Sequence, residues 1–316
     1  MLKIVFMGTP DFSVPTLQSL IDSDHSVTAV LTQPDRPKGR GNRVVAPPVK
    51  MLAQQHAIPV LQPQRVKAPE ILRQLEELAP DAIVAIAYGQ ILPQSILDIP
   101  RLGCVNVHAS LLPKYRGAAP FQWAIIRGET ETGVTTMLMD KGMDTGDMLL
   151  QQTIPIEAED TAATLHDRLA QVGADVLIRT LQGLENGSLR PTPQNDAEAT
   201  YAPLLKKHDG LVDWQKTAAE IANAVRGMSP WPGAYTHFQG KRIKLLRVQV
   251  AAEAETTAEA GTVVALDQQH GPLIATGSGQ LRILEIQPQN KKPMRCSDFC
   301  RGYRLQIGDR LGEASE

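Results

Sequence analysis

The sequence predicts an α/β protein in two parts, a doubly wound, mostly parallel sheet followed by a smaller β-barrel, and three observations carry that prediction. Continuous apolar runs of strand length alternate with helix-spaced stretches as far as residue 184, the pattern of a parallel sheet covered on both faces. A polar, proline-bearing stretch without periodicity follows at 186–200, as a connection should. Short strands at close spacing, joined by turns such as Gly277-Ser278-Gly279, fill most of the rest, which suits a small barrel or sandwich. A chain of 316 residues exceeds what one core usually organises. The expected division is 1–188 for the first domain, 189–206 for the linker and 207–316 for the second.

In chain order, the apolar run 2–7 ends at Gly8, and 13–21 then has helical spacing with Asp11 or Ser13 as a cap. Runs at 27–32, 82–87 and 104–108 read as strands, and 49–55 and 69–78 as helices between them. Segments 133–139 and 148–156 are β-branched and alternating, and 161–184 is a long amphipathic helix opened by Asp160-Thr161. Beyond the linker come a helix at 217–225, strands at 234–238, 242–250, 261–266, 273–276 and 281–287, and a last helix at 296–305. Residues 33–48 show no periodicity and read as a long, structureless basic loop with Arg36, Lys38, Arg40 and Arg43; such loops are usually functional or disordered.

Composition narrows the function classes. Apolar residues at 42% and charged residues at 21% describe an ordinary globular chain. No apolar run approaches a membrane span, and the N-terminal run, broken at Gly8, is too short for a signal sequence. Three cysteines suit a reducing compartment, so a cytoplasmic location is expected. Cys296 and Cys300 lack further ligands to complete a metal set, and no metal is expected. Gly8-Thr9-Pro10 lacks the G-x-G-x-x-G pattern, which argues against a nicotinamide cofactor. Residues 1–205 carry 17 basic against 22 acidic residues, a net of -5, and residues 206–316 carry 15 against 12, a net of +3. That asymmetry is a weak pointer to a polyanionic partner for the second part.

The chemistry concentrates between residues 105 and 149. Asn106-x-His108-x-Ser110-Leu111-Leu112-Pro113-x-x-Arg116-Gly117 is followed, after a helix-length gap, by Asp140-x-Gly142-x-Asp144-Thr145-Gly146-Asp147. Two residues apart on a strand, Asn106 and His108 point to one side and can share a pocket. A Gly-punctuated turn can bring Asp144 beside that imidazole and hold its tautomer. Trp214, Trp231 and Tyr235 could be taken for base-stacking platforms, but Trp231-Pro232-Gly233 reads better as a packed turn. On an extended run Arg242 and Lys244 share one face, with Lys241 and Arg247 on the other.

These motifs resemble the folate-dependent formyltransferases, and the resemblance covers nearly the whole chain. It implies a Rossmann-like catalytic domain, an OB-like C-terminal barrel, and transfer of a formyl group from 10-formyltetrahydrofolate to an amine. The openings Gly8-Thr9-Pro10-Asp11-Phe12 and Gln33-x-Asp35-Arg36-x-Lys38-Gly39-Arg40-Gly41 are similar to the members that act on methionyl-tRNA, so the implied acceptor is initiator methionyl-tRNA. Asn106, His108 and Asp144 match the catalytic trio: Asn106 an amide donor to the oxyanion, His108 a donor or proton shuttle, Asp144 a carboxylate beside it. Ser110, Leu111, Leu112 and Pro113, with Tyr88, Gly89 and Ile91, match the folate-contacting segments. The loop with Arg36, Lys38 and Arg40 matches one that meets the tRNA acceptor end, Arg40 standing at the family's arginine. The basic residues of the second domain, among them Lys206, Lys207, Arg242, Lys244 and Arg304, are the expected tRNA surface. A monomer without a membrane partner is expected. Three alternatives stay open: a sugar-nucleotide or other small-amine formyltransferase, which would be expected to carry a further dinucleotide-binding domain; a catalytically silent folate- or RNA-binding protein; and hydrolytic release of formate.

Overall fold

The structure, a computed structural model, describes residues 1–38, 43–251, 257–267 and 269–312. By their contacts they divide into two compact units. The first comprises Met1–Pro120, Glu131–Pro155 and His166–Ala202; the second comprises Phe121–Thr130, Ile156–Leu165 and Pro203–Glu316. The run 192–202, which has the texture of a linker, is docked in the first unit through bridges from Thr192 to Met148 and from Tyr201 to Arg116.

In chain order the elements as far as residue 185 are β1 (Lys3–Gly8), α1 (Val14–Ile21), β2 (Ser26–Leu31), β3 (Arg36–Lys38), β4 (Arg43–Val45), α2 (Pro48–Gln55), β5 (Val60–Leu61), α3 (Pro69–Leu78), β6 (Ala82–Ile86), α4 (Gln94–Leu97), β7 (Cys104–His108), α5 (Pro120–Ile126), β8 (Glu131–Leu138), β9 (Met148–Pro155) and α6 (Ala162–Glu185). The main sheet has the order β5-β2-β1-β6-β7-β8-β9. Pairing is parallel from β5 to β7 and antiparallel at β7–β8 and β8–β9. This is the doubly wound, Rossmann-like arrangement, and its strand order reverses between β1 and β6, where such sheets open a crevice. Val5 and Met7 pack in a cluster with Ile71 and Leu75 of α3. Ile4 and Phe6, on the other face of β1, are equally buried, so both faces of the sheet are covered.

Local chemistry explains the crevice. A Cβ on Gly8 would stand 2.7 Å from the Phe6 ring and 3.0 Å from the Ser13 Cβ, so only glycine lets β1 turn so tightly into the next segment. Thr9 Oγ1 donates to the Tyr88 carbonyl and Ser13 Oγ to the Ile86 carbonyl, stitching the turn after β1 to the loop after β6. Ser13 therefore stands at the start of α1 without capping it through its side chain. Residues 33–48 also differ from expectation: β3 and β4 pair as an antiparallel ribbon, and Lys50 Nζ bonds Asp35, 2.9 and 2.8 Å from its two oxygens. Short strands alternating Arg, Pro and Val carry too little pattern to be read. Arg40 and the side chain of Lys38 lie outside the described residues.

In the second unit α7 (Ala218–Gly227) precedes β10 (Tyr235–Phe238), β11 (Lys241–Val250), β12 (Val263–Asp267), β13 (Gly271–Ala275), β14 (Gln280–Pro288), β15 (Met294–Arg295) and α8 (Cys296–Tyr303). The strands form an antiparallel sheet ordered β10-β11-β14-β13-β12, with β15 on β14. Ile243, Leu245, Ile283 and Ile286 form part of its buried side. Thr217 opens α7 with a capping box, its hydroxyl accepting from the Glu220 N–H while Glu220 accepts from the Thr217 N–H. No helix is long and apolar enough to cross a membrane among the described residues.

Candidate active site

Asn106 and His108 end β7 at the carboxyl edge of the parallel strands, beside the crevice. In register, Asn106 lies opposite Met137 and His108 opposite Thr135 on β8. Directly opposed residues project to the same face, so the pair shares a face with Met137, which lines a cavity of about 450 Å³. The cavity is walled by Gly89–Leu92 after β6, by Gly117 and Ala118, by Met137 and Met139, and by Asp140–Asp144. Ile91 and Met143, both exposed, stand among its lining residues. A mostly apolar pocket with a few convergent polar groups is the usual form of a small-molecule site.

His108 is 6% exposed. Its Nε2 lies 2.9 Å from the Tyr115 carbonyl, and a carbonyl only accepts, so Nε2 carries a proton there. Nδ1 is left facing Asp144 Oδ2 at 3.7 Å. The Tyr115 carbonyl thus holds the tautomer expected of Asp144, and Nδ1 is the atom free to exchange a proton. Asp144 Oδ2 accepts instead from the Gly117 N–H at 2.8 Å. The Asn106 amide is half-buried and makes no hydrogen bond among the described residues, which leaves its N–H groups available.

The backbone around the site is unusual. Ala87, Tyr115 and Asp144 have φ of 46°, 62° and 57°, a region non-glycine residues seldom enter and which costs on the order of 1–3 kcal/mol each. The surroundings hold two of them: the Tyr115 N–H donates to Thr200 Oγ1, and in the turn of Asp144, Asp140 accepts from the Gly142 N–H and from Thr145 Oγ1.

Other expected site residues are distributed unevenly. Gly89 and Ile91 line the cavity, whereas Tyr88, Ser110, Leu111, Leu112 and Pro113 do not. Ser110 donates to the Lys114 carbonyl, and Thr135 donates to the Ser110 carbonyl; Leu112 is buried as well. Tyr88 is 3% exposed, its hydroxyl has no hydrogen-bond partner among the described residues, and burial pushes its pKa up to about 12. Gln194 carries no signal in the sequence. Its Nε2 donates to the carbonyls of Asp144 and Gly146, contacts across some fifty residues that no local pattern announces.

Among the basic residues, Arg36, Lys206, Lys207 and Arg304 are exposed and Arg242 and Lys244 half-buried. His237 lies opposite Arg242 and Tyr235 opposite Lys244, so these four share a face, with the Arg242 guanidinium 3.7 Å from the Tyr235 ring centroid. Arg247 joins them. Register shifts flank it, and it lies opposite Glu285, two residues from the Gln287 that faces Lys244; strict alternation, which puts it with Lys241, fails at the bulge. Lys241 lies instead over the Tyr303 ring, 6.0 Å from its centroid. Trp214 is buried and donates to Thr236, whereas Trp231 is 51% exposed rather than packed. Cys296 is buried and Cys300 half-buried, both free, and no metal-ligand cluster occurs among the described residues.

Residues 2–181 match the formyl transferase family and residues 204–304 the formyl transferase C-terminal domain. A methionyl-tRNA formyltransferase of Geobacter sulfurreducens is 54% identical over 99% of this chain and 98% of its own. Among solved structures, a sugar 3N-formyl transferase crystallised with dTDP and 5-N-formyl-THF has a TM-score of 0.66 at 20% identity, over 92% of this chain and 99% of its own. HypX of Aquifex aeolicus in complex with tetrahydrofolic acid has a TM-score of 0.62 at 20% identity over 98% of this chain, which spans 48% of it.

Proposed function

The chain belongs to the formyl transferase family, and from that premise we propose that it transfers a formyl group from 10-formyltetrahydrofolate to the amino group of initiator methionyl-tRNA, the step that prepares the initiator for translation. The end-to-end identity of 54% with a methionyl-tRNA formyltransferase, through the C-terminal domain as well, is the observation that carries the acceptor. The geometry supports the chemistry.

The donor's fit is supported by the cavity beside β7, whose apolar lining and few polar groups suit a flat heterocycle. When bound, the donor supplies the formyl carbonyl. Asn106 offers an amide N–H to the oxygen that gains charge as the amine attacks, a contact worth about 3 kcal/mol when preorganised. His108 takes a proton from the attacking nitrogen through Nδ1, because Nε2 is engaged by Tyr115, and returns it to the folate nitrogen as that nitrogen's bond to the formyl carbon breaks. Asp144, 3.7 Å away, accepts through water the proton that the acceptor's ammonium loses before it attacks, passes it to solvent, and, ionised again, stabilises the positive charge that develops on the imidazole. Gly89 and Ile91 contribute to the donor pocket, with Ser110–Pro113 and Tyr88 supporting its wall. Arg36, Lys38 and Arg40 meet the acceptor end, and Lys206, Lys207, Arg242, Lys244 and Arg304 meet the tRNA phosphates.

The division at 189–206, a monomeric state and a cytoplasmic location complete the reading, the last supported by the thiols, Cys104 and Cys296 being buried and free. Transfer of radiolabelled formyl from 10-formyltetrahydrofolate tests it, with initiator methionyl-tRNA, elongator methionyl-tRNA and a dTDP-amino sugar as competing acceptors. Label on the initiator is expected. Label on the sugar, or formate released with no acceptor labelled, would overturn the acceptor and keep the folate site.

A further inference from the structure

The turn that carries Asp144 is held from outside as well as by its own bonds to Asp140. Asp144 sits at φ 57°, and Gly146 passes so close to the Leu138 carbonyl that no side chain fits there. The carbonyls of Asp144 and Gly146 both accept from Gln194 Nε2, at 2.8 and 2.7 Å. Gln194 Oε1 in turn accepts from Nε and Nη2 of Arg116, at 3.0 and 2.8 Å. A guanidinium only donates, so the amide can sit only one way round: oxygen to Arg116, nitrogen to the turn. Arg116 is 2% exposed and meets Asp196 on its outer side at 2.8 Å.

The segment that carries Gln194 also grips the other half of the site. Thr200 accepts from the backbone N–H groups of Tyr115 and Arg116, through its hydroxyl and its carbonyl, and the Ala202 N–H donates to the Arg116 carbonyl. These contacts flank the Tyr115 carbonyl that holds His108 Nε2 and the Gly117 N–H that holds Asp144 Oδ2. One stretch, 194–202, therefore sets both members of the His108–Asp144 pair.

We propose that Gln194, backed by the buried Arg116, is the positioning residue for Asp144: its amide clamps the strained turn so that the carboxylate faces His108 Nδ1. The inference rests on the reading that His108 and Asp144 carry the transfer. Gln194 lines no part of the cavity and acts only through the turn, whose residues Asp140–Asp144 also wall it, so turnover falls by much more than donor binding weakens. Displacing a catalytic group by about 1 Å costs on the order of 10²-fold.

Gln194→Glu tests it. The substitution keeps the side chain's length and gives Arg116 a carboxylate, but removes both N–H donors and turns an oxygen toward two carbonyls. The expected result is kcat lower by roughly 10- to 100-fold, KM for the folate donor within about threefold, and Tm close to that of the parent. Measured again in an Asp144→Asn background by single-turnover transfer, Gln194→Glu should change the rate by less than about twofold, because coupled residues are non-additive. Equal losses in both backgrounds, or turnover like the parent's, would overturn the proposal. Gln194→Asn, too short to span from Arg116 to the turn, replaces it if Gln194→Glu does not fold, with the same expected pattern. An unsubstituted chain that transfers no formyl group to any amine would instead refute the functional reading, which these variants do not address.

Discussion

The environs of Asp144 and the face of Arg242 show two ways of building function from polar residues. In the first, His108 and Asp144 are fixed by the Tyr115 carbonyl, the Gly117 N–H and the Gln194 amide, on a backbone held where side chains rarely go. In the second, Arg242, Lys244 and Arg247 share a strand face with Tyr235 and His237, and Arg242 is steadied by a ring rather than by a carboxylate. Moving a proton requires atoms placed to tenths of an ångström. Attracting a polyanion requires summed positive charge, which tolerates loose placement. The first region should therefore fail abruptly when one group is lost, and the second gradually.

The strongest test of that contrast is His108→Ala, for which kcat is expected to fall by about 10²- to 10⁴-fold with KM for tRNA nearly unchanged. Steady-state transfer assays read both, and a modest loss would break the contrast. In the other region, Arg242→Ala is expected to raise KM for tRNA by about three- to tenfold with kcat intact, and to make binding less steeply dependent on salt. A loss of kcat there would show that the face positions the acceptor and does more than attract it.

Smaller effects sharpen the boundary of the first region. Tyr88→Phe removes a buried hydroxyl without a hydrogen-bond partner among the described residues, so stability should hold or rise by up to about 1 kcal/mol by denaturant unfolding. KM for the folate donor should not move, because the ring packs in the core cluster of the sheet. The smallest effect concerns pH. Asp81 accepts from the Lys3 N–H and from Arg101, and first the backbone bond, then Arg101, hold its carboxyl below the ordinary range. Its folded pKa is thus lower than the unfolded value of about 3.9. The stabilisation is complete above that value and is lost as pH falls through the folded one. Melting curves between pH 6 and pH 3 should fall less steeply for Asp81→Asn than for the parent, with formyl transfer at neutral pH unaffected.

Elements with a strong repeating pattern are legible in the sequence alone. The strand at 104–108 and the helix at 69–78 are observed with those bounds, because each buries one continuous run or stripe that its own residues display. The helix Pro120–Ile126 falls in what reads only as a gap of helical length, since seven residues give two turns and little periodicity. The strand pair Arg36–Lys38 and Arg43–Val45 falls in what reads as loop. Strict alternation puts Arg247 on the wrong face because a bulge is a property of the pairing and not of one strand.

Much the same division runs through the site. The chemical groups, their order, the shared side of Asn106 and His108, and the family whose motifs they match can all be read from the residues in order. These follow from covalent neighbours and from the period of two along a strand. The fold alone settled that Tyr115 rather than Asp144 holds the imidazole, that Ser110 turns to the Lys114 carbonyl, and that Gln194 reaches the turn of Asp144. Each of these depends on backbone carbonyls and N–H groups, which every residue carries alike, so the partner is chosen by where the chain folds and by no signal in the side chains themselves.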